Sequence, residues 1–74
     1  MIGYTLHTVK KNKSADGRKL GVQIGRTCIN KDIPVKEIAS VANVSTVTVY
    51  AWFTGEYSPR KEIADKILAY LAAR

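Results

Sequence analysis

Apolar residues recur at helical spacing over much of the chain. The first such set, Leu20, Ile24 and Cys28, is spaced by four residues, as one face of a helix requires. Asp16 lies where its side chain can accept hydrogen bonds from the free amides at a helix start. The pattern therefore predicts a first helix over about residues 15–31.

A second interpretation of the same region stays open. Three glycines lie within the predicted helix, and each weakens a helix by about 1 kcal/mol relative to alanine. Residues 20–25 also alternate between apolar and polar, as a strand does. In this alternative they pair with residues 4–9 in a hairpin whose turn lies at Asp16 and Gly17.

The beginning of the chain follows a different pattern. Apolar and polar residues alternate from Ile2 to Leu6, as in an extended segment. A polar, basic run follows, which contains Lys10, Lys11 and Lys13. We therefore expect an extended basic arm over residues 1–13, followed by a helix-turn-helix domain over residues 14–74, with the helix-turn-helix itself at residues 35–54.

Proline and asparagine mark the limits of a short second helix. Pro34 ends the first helix, because the residue before a proline avoids the helical region. Ile38 and Ala42 then lie in an apolar stripe over residues 35–42. Asn43 tolerates the left-handed conformation with which a chain leaves a helix sharply, so a turn is expected there.

Two more helices complete the prediction. Ser45 is a suitable N-cap for a third helix over residues 46–54, and Gly55 is a suitable residue to end it. Ser58 and Pro59 provide a cap and a first helical residue for the fourth helix. The expected fold is all-α: a small domain of four helices, or of five elements when the arm is included.

Charge and composition narrow the classes of function. The net charge is +6, and residues 1–31 carry all of the excess, with seven bases and one acid. Such a one-sided excess attracts polyanions, nucleic acid first among them. The sequence offers no cluster of metal ligands and no nucleophile beside a base, and Cys28 is its single cysteine. We therefore expect that the protein is not an enzyme and that it binds neither a metal nor a cofactor.

The chain contains no signal peptide pattern and no stretch approaching the roughly 20 apolar residues that span a membrane. A location in the cytoplasm or nucleoid of a bacterial host is therefore expected, without a membrane partner. No pattern for a small-molecule ligand is evident either.

The third helix separates into an apolar side and an uncharged outer side. At 100° per residue, Val49, Trp52 and Phe53 fall together on the side that faces a core. The outer side carries Val47, Tyr50, Ala51 and Thr54. Such a surface can contact base edges and thymine methyl groups in the major groove, or it can bury against a partner protein.

The run VKEIASVANVSTVTVYAWFTGEYSP, residues 35–59, resembles the helix-turn-helix of the lambda-repressor-like (Cro/Xre) family of phage and bacterial regulators. The resemblance covers about residues 20–71. It implies a regulator of transcription that binds double-stranded DNA and inserts its third helix into the major groove. The candidate base-reading residues are Ser45, Thr46, Val47, Tyr50, Ala51 and Thr54. The candidate phosphate-binding residues are Lys10, Lys11, Lys13, Lys36, Tyr57, Ser58, Arg60 and Lys61.

Two of these phosphate candidates also lie where a positive charge is unfavourable unless an anion binds. Arg60 and Lys61 lie at the start of the fourth helix, where a positive charge opposes the helix dipole. A DNA phosphate bound there would offset that cost. If both side chains are exposed and screened by solvent, the cost is negligible and no phosphate is needed.

Three positions depart from the family pattern. Asn43 replaces the usual turn glycine, and Pro34 and Val35 replace a serine cap and a base-reading glutamine. The pattern also predicts no counterpart of the fifth helix, which completes the core or the dimer interface in many relatives. Either Ile2, Tyr4 and Leu6 take over that task, as in a homodimer on DNA, or the protein is monomeric.

Three functions remain at this stage. The first is a sequence-specific repressor that occupies a promoter. The second uses the same module for DNA packaging, recombination or nucleoid architecture. The third is an adaptor or anti-factor that binds a protein with the outer face of the third helix. The basic charge and the spacing of the motif favour the first two.

Overall fold

The computed structural model describes residues 4–74, so Ile2 of the expected arm lies outside the described residues. Residues 4–74 form five helices and no strand. The helices are α1 (Leu6–Ser14), α2 (Leu20–Asn30), α3 (Val35–Ala42), α4 (Thr46–Phe53) and α5 (Lys61–Ala73). The predicted all-α class is confirmed, with α1 as an additional helix.

Helices α2 to α5 share one core. Helix α4 contacts both α2 and α3, α5 packs on α3 and α2, and α1 packs on α2. The largest fully buried apolar side chains are Ile24, Ile33, Ile38, Phe53 and Ile67, followed by Val22 and Val49. Each of α2 to α5 therefore buries one apolar stripe, as helical periodicity requires.

The first predicted helix is confirmed in type, although α2 begins several residues later than expected, at Leu20. The hairpin alternative is wrong, because residues 20–25 are helical. A glycine that seemed to weaken this helix instead permits close packing. A methyl group on Gly25 would lie 2.8 Å from Nδ2 of Asn12 and 2.8 Å from Cγ of Phe53. Tertiary packing thus outweighs the low helix propensity of glycine.

The expected extended arm is wrong for residues 6–13, which form most of α1. Thr5 caps this helix, since its Oγ1 accepts a hydrogen bond from the Thr8 amide at 3.2 Å. Lysines in the last turn stabilise the helix through a favourable interaction with its dipole. The buried residue of α1 is the polar Asn12. An apolar stripe is therefore missing, which is why periodicity did not reveal the helix.

Tyr4 takes the core position expected of the N-terminal segment. Its hydroxyl donates a hydrogen bond to the Ile33 carbonyl at 2.6 Å, and its ring centroid lies 6.3 Å from that of Phe53. Burial raises the pKa of the Tyr4 phenol far above its ordinary value. Leu6, by contrast, is 69% exposed, so Tyr4 fills a core position and Leu6 does not.

The turn between α3 and α4 has the predicted geometry. Asn43 is left-handed, with φ 57° and ψ 48°. Ser45 caps α4, and its Oγ accepts a hydrogen bond from the Thr48 amide at 3.3 Å. Gly55 has φ 82°, as a residue that leaves a helix often does. Helix α4 ends at Phe53, one residue before the predicted end.

Helix α5 begins at Lys61, later than expected, and Ser58 is not its cap. The N-cap position is held by Arg60, whose backbone is extended and whose side chain makes no capping hydrogen bond. Pro59 remains in the loop because its ring lies against α2, where a methyl group on Gly21 would be 3.2 Å from Cδ of Pro59. Packing on α2 therefore delays the start of α5.

Candidate nucleic-acid interface

The outer face of α4 is open to solvent. Val49, Trp52 and Phe53 are buried, whereas Val47 is 75% exposed. The two sides that the sequence predicts for this helix are therefore separated as expected. The half-buried residues of the predicted base-reading set are Thr46, Tyr50, Ala51 and Thr54, and Ser45 is exposed.

The hydroxyl groups on this face differ in what they can offer to a base. Oγ1 of Thr54 donates back to the Tyr50 carbonyl at 3.0 Å, so its oxygen remains free only to accept. Oγ of Ser45 already accepts the Thr48 amide as the cap of α4. The phenol of Tyr50 lies in an open groove, where its hydroxyl can donate or accept. The hydroxyl of Thr46, like that of Tyr50, makes no hydrogen bond to another described residue, so both can donate or accept.

Lys36 lies beside the start of α4. It is exposed in the first turn of α3 and lines a shallow concavity of about 520 Å³ together with the helix-turn-helix turn. The other residues of this concavity are Ala39, Ser40, Asn43, Val44, Ser45 and Thr46. The structure thus brings a phosphate candidate next to the first base-reading candidates.

The loop between α4 and α5 carries the second group of phosphate candidates. The exposed candidates are Tyr57, Ser58 and Arg60 in the loop and Lys61, the first residue of α5; Tyr57 is 70% exposed. Lys19 holds this loop to the start of α2, since its Nζ donates to the Gly55 carbonyl at 2.8 Å. Glu62 in the first turn of α5 partly balances the two basic side chains against the helix dipole.

Helix α1 and helix α4 form the walls of a groove of about 450 Å³, which we call the α1/α4 groove. Helix α1 contributes His7, Thr8 and Lys11. The opposite wall and the floor are formed by Val47, Thr48, Tyr50, Ala51, Thr54, Glu56 and Tyr57. The outer face of α4 is therefore not an isolated ridge, because it borders directly on a basic helix.

The three lysines of α1 do not lie together. Lys10 lines a concavity of about 380 Å³ that adjoins the α1/α4 groove, and it shares this concavity with Lys11, Thr54 and Glu56. Lys13 lines a separate small pocket against α2, beside Arg26. Of the basic residues expected in an arm, Lys10 and Lys11 therefore lie near α4, and Lys13 does not.

Helix α1 is held in place at its C-terminal end. Nη2 of Arg26 donates to the carbonyl of Ala15 at 3.1 Å and to the carbonyls of Asn12 and Lys13, each at 3.3 Å. These carbonyls are the groups that a helix end leaves without a helical partner. The position of α1 beside α4 is thus fixed by α2 rather than by the loop that connects them.

A three-residue cluster ties the first turn of α3 to the end of α5. The Tyr70 hydroxyl donates to Oε2 of Glu37 at 2.6 Å, and Nη2 of Arg74 donates to Oε1 at 3.1 Å. The hydrogen bond from Tyr70, followed by that from Arg74, lowers the pKa of Glu37 and raises the pKa of both partners. This cluster orients the helix start that carries Lys36.

A comparison with protein families identifies the family of this chain. The model of the Cro/C1-type family, described as helix-turn-helix, matches residues 26–72, which is more than half of the chain. The chain belongs to the Cro/C1-type helix-turn-helix family. Members of this family are DNA-binding regulators and are not typically enzymes. No curated protein and no solved structure matches the chain.

The helix-turn-helix match contains α3, α4 and nearly all of α5, but it begins only at Arg26. Helix α1 and the first part of α2 therefore lie outside it. Within residues 4–74, no group of three or more metal-ligating side chains comes together. None of the described helices is long and apolar enough to cross a membrane.

Sequence reasoning missed the contribution of α1 to the surface around this helix-turn-helix. It assigned no role to His7, Thr8 or Glu56, which all line the α1/α4 groove. A usable signal existed in Thr5 and Thr8, which have the spacing of an N-cap and its partner, followed by a basic last turn. Nothing in the sequence pattern indicated that α1 would lie beside α4.

Proposed function

We propose that this protein is a sequence-specific regulator of the phage or bacterial type, which represses transcription by occupying a promoter. It inserts α4 into the major groove of double-stranded DNA. The observation that carries this proposal is the position of α4: its neutral, exposed outer face is bordered by basic side chains on several sides.

The division of charge supports separate tasks for the two kinds of residue. The outer face of α4 carries no charge, so its side chains can discriminate between bases better than they can attract DNA. We assign base reading to Ser45, Thr46, Val47, Tyr50, Ala51 and Thr54, with Thr54 acting only as an acceptor. We assign phosphate binding to Lys36, Lys10 and Lys11, and to the loop residues Tyr57, Ser58, Arg60 and Lys61. Lys13 is left out, because it lies against α2.

A titration against DNA over a series of salt concentrations tests this function. The duplexes are a selected target, obtained by enrichment from a random library, and scrambled versions of it. We expect log K to fall linearly with log salt, because bound lysines and arginines release counterions from the phosphates. We also expect the selected duplex to bind at least about 1000-fold more tightly than the scrambled ones.

Other outcomes would reject the proposal in distinct ways. An affinity that does not depend on salt would exclude phosphate binding and favour a protein partner for the outer face of α4. A strong salt dependence without preference for sequence would indicate a role in DNA packaging or architecture.

Sedimentation of the protein with and without the selected duplex would show whether it binds as a monomer or as a homodimer.

A further inference from the structure

The α1/α4 groove combines one base and one acid in direct proximity. Nζ of Lys11 lies 3.8 Å from Oε1 of Glu56, and each side chain is about half exposed. Among the described residues that line the groove, Glu56 is the only acid. It projects from the loop that directly follows the reading helix.

An acid is an unfavourable neighbour for DNA at this place. A carboxylate beside the reading helix repels the phosphates of any duplex that approaches, whatever its sequence. The same carboxylate attracts Lys11, which would otherwise be free to contact a phosphate. Both effects lower affinity without reading a base.

The contact between Lys11 and Glu56 is weak enough to be exchanged. A distance of 3.8 Å exceeds that of a hydrogen bond, so the pair is held by charge alone. Ion pairs between exposed side chains contribute little to stability and are screened by salt. A DNA phosphate, which carries a full negative charge and free acceptor oxygens, can therefore replace Glu56 as the partner of Lys11.

We propose that one sugar-phosphate strand of the duplex lies along the α1 side of the α1/α4 groove and that Glu56 limits the affinity for DNA by competing with phosphate for Lys11. This inference rests on the proposed function, since it requires DNA against α4. Its effect is on occupancy: a uniform loss of affinity leaves weakly held, non-specific sites unoccupied while a base-read target is still bound, and the ratio of the two affinities is unchanged.

The test uses the full chain and a random-sequence duplex about two helical turns long. We compare wild type with Glu56→Gln, Lys11→Ala and the double variant. Glu56→Gln should tighten binding about threefold, because Lys11 no longer has to leave an exposed ion pair, which contributes little, before it binds a phosphate. Lys11→Ala should lower the steepness of the plot of log K against log salt by about one. In the double variant, most of the gain from Glu56→Gln should disappear.

Two matched controls separate these effects from a general change in charge. Asp65→Asn removes an acid from an exposed position of α5, and Lys66→Ala removes an exposed base next to it. Neither residue lines the α1/α4 groove or its neighbouring concavity. Both variants should therefore leave the affinity nearly unchanged. Urea unfolding of every variant confirms that the fold is retained.

Three results would overturn the inference. If Glu56→Gln changes the affinity no more than Asp65→Asn, Glu56 does not limit binding. If the gain from Glu56→Gln is equally large with Lys11→Ala, Glu56 repels phosphate directly and does not compete for Lys11. In both cases the proposed function stands, because the wild type still binds DNA. If the wild type binds no duplex, the proposed function fails together with this inference.

Discussion

The side-chain amide of Asn12 donates a hydrogen bond to the main-chain carbonyl of Phe53, with 2.6 Å between Nδ2 and the oxygen. The same nitrogen also lies 3.2 Å from the carbonyl of Val22. Phe53 is the last residue of α4, and Asn12 is only 2% exposed. One buried amide thus joins α1 to α2 and to the end of α4, so the positions of α1 and α4 are coupled.

Asn12→Ala should destabilise the protein by about 1 to 3 kcal/mol, because it leaves two buried carbonyls without this donor. Urea unfolding followed by circular dichroism measures the loss. Asn30→Ala is the matched control, since Asn30 is exposed at the end of α2. Equal stability of the two variants would contradict the role assigned to Asn12.

Gly25→Ala should also destabilise the protein, although alanine favours a helix by about 1 kcal/mol over glycine. The added methyl group would meet Nδ2 of Asn12 and Cγ of Phe53 at 2.8 Å, and relief of such overpacking typically costs about 1 to 3 kcal/mol. Urea unfolding again measures the change. A more stable Gly25→Ala variant would show that α1 can shift freely, against the coupling described above.

Tyr50→Phe should lower the preference for the selected duplex over a scrambled one, because it removes the hydroxyl of a residue that lines the α1/α4 groove while keeping the ring. One hydrogen bond is worth roughly 0.5 to 1.5 kcal/mol, so the ratio of the two affinities should fall by about twofold to tenfold. Lys10→Ala should instead weaken both complexes alike. Fluorescence anisotropy with both duplexes measures these ratios. Equal losses on both duplexes from Tyr50→Phe would reject Tyr50 as a base reader.

The stability of the protein should fall at acid pH in a way that depends on Glu37. Hydrogen bonds from Tyr70 and Arg74 lower the pKa of Glu37 below its ordinary value of 4.5. The stabilisation from this ionised group is therefore present above pH 4.5 and is lost as the pH falls through the lower pKa of the folded state.

Glu37→Gln should remove that part of the acid-side decline, measured as the midpoint of urea unfolding at several pH values. Asp65→Asn, which removes an exposed carboxylate from α5, is the matched control and should retain the decline. A wild-type profile that is unchanged by Glu37→Gln would show that the cluster with Tyr70 and Arg74 does not stabilise the fold.

Cys28 should give the opposite dependence at alkaline pH. Burial raises the pKa of its thiol from an ordinary 9.0 to about 11, so the unfolded chain loses this proton before the folded one does. The contribution of Cys28 to the free energy of unfolding is therefore fully present below pH 9. It is lost as the pH rises towards 11.

The difference in stability between wild type and Cys28→Ala isolates this effect, since other alkaline titrations are common to both proteins. At neutral pH the variant should be less stable, because it leaves a cavity in the core. The difference should narrow as the pH rises above 9. A constant difference over this range would contradict the burial assigned to the thiol.

Local signals in the sequence were sufficient for the helix-turn-helix itself. Asn43, Ser45 and Gly55 each act on residues within one turn of themselves, through a left-handed backbone or a capping hydrogen bond. Such signals do not depend on the rest of the fold, so the limits of α3 and α4 were predicted to within one residue. The periodicity of α4 likewise separated its buried side from its outer face. The individual base and phosphate contacts remain predictions.

The start of α5 shows where local signals fail. Ser58 and Pro59 have the ordinary pattern of a cap and a first helical residue, and they predict a start that the structure does not adopt. Pro59 packs on Gly21, which lies 38 positions earlier in the chain, and that contact outweighs the local preference. A distant contact of this kind leaves no trace in the residues around the helix start.

The sequence by itself determined the helix-turn-helix, the neutral outer face of α4 and the basic character of the first 31 residues, because these depend on neighbours along the chain or on composition. Only the tertiary structure decided that residues 6–14 form the helix α1 and that this helix lies beside α4. That arrangement depends on a polar side chain, Asn12, whose partner Phe53 is 41 residues away, and it brings Lys11 opposite Glu56. Hydrogen bonds and ion pairs between such distant residues follow no period in the sequence, and they form only when the helices are packed.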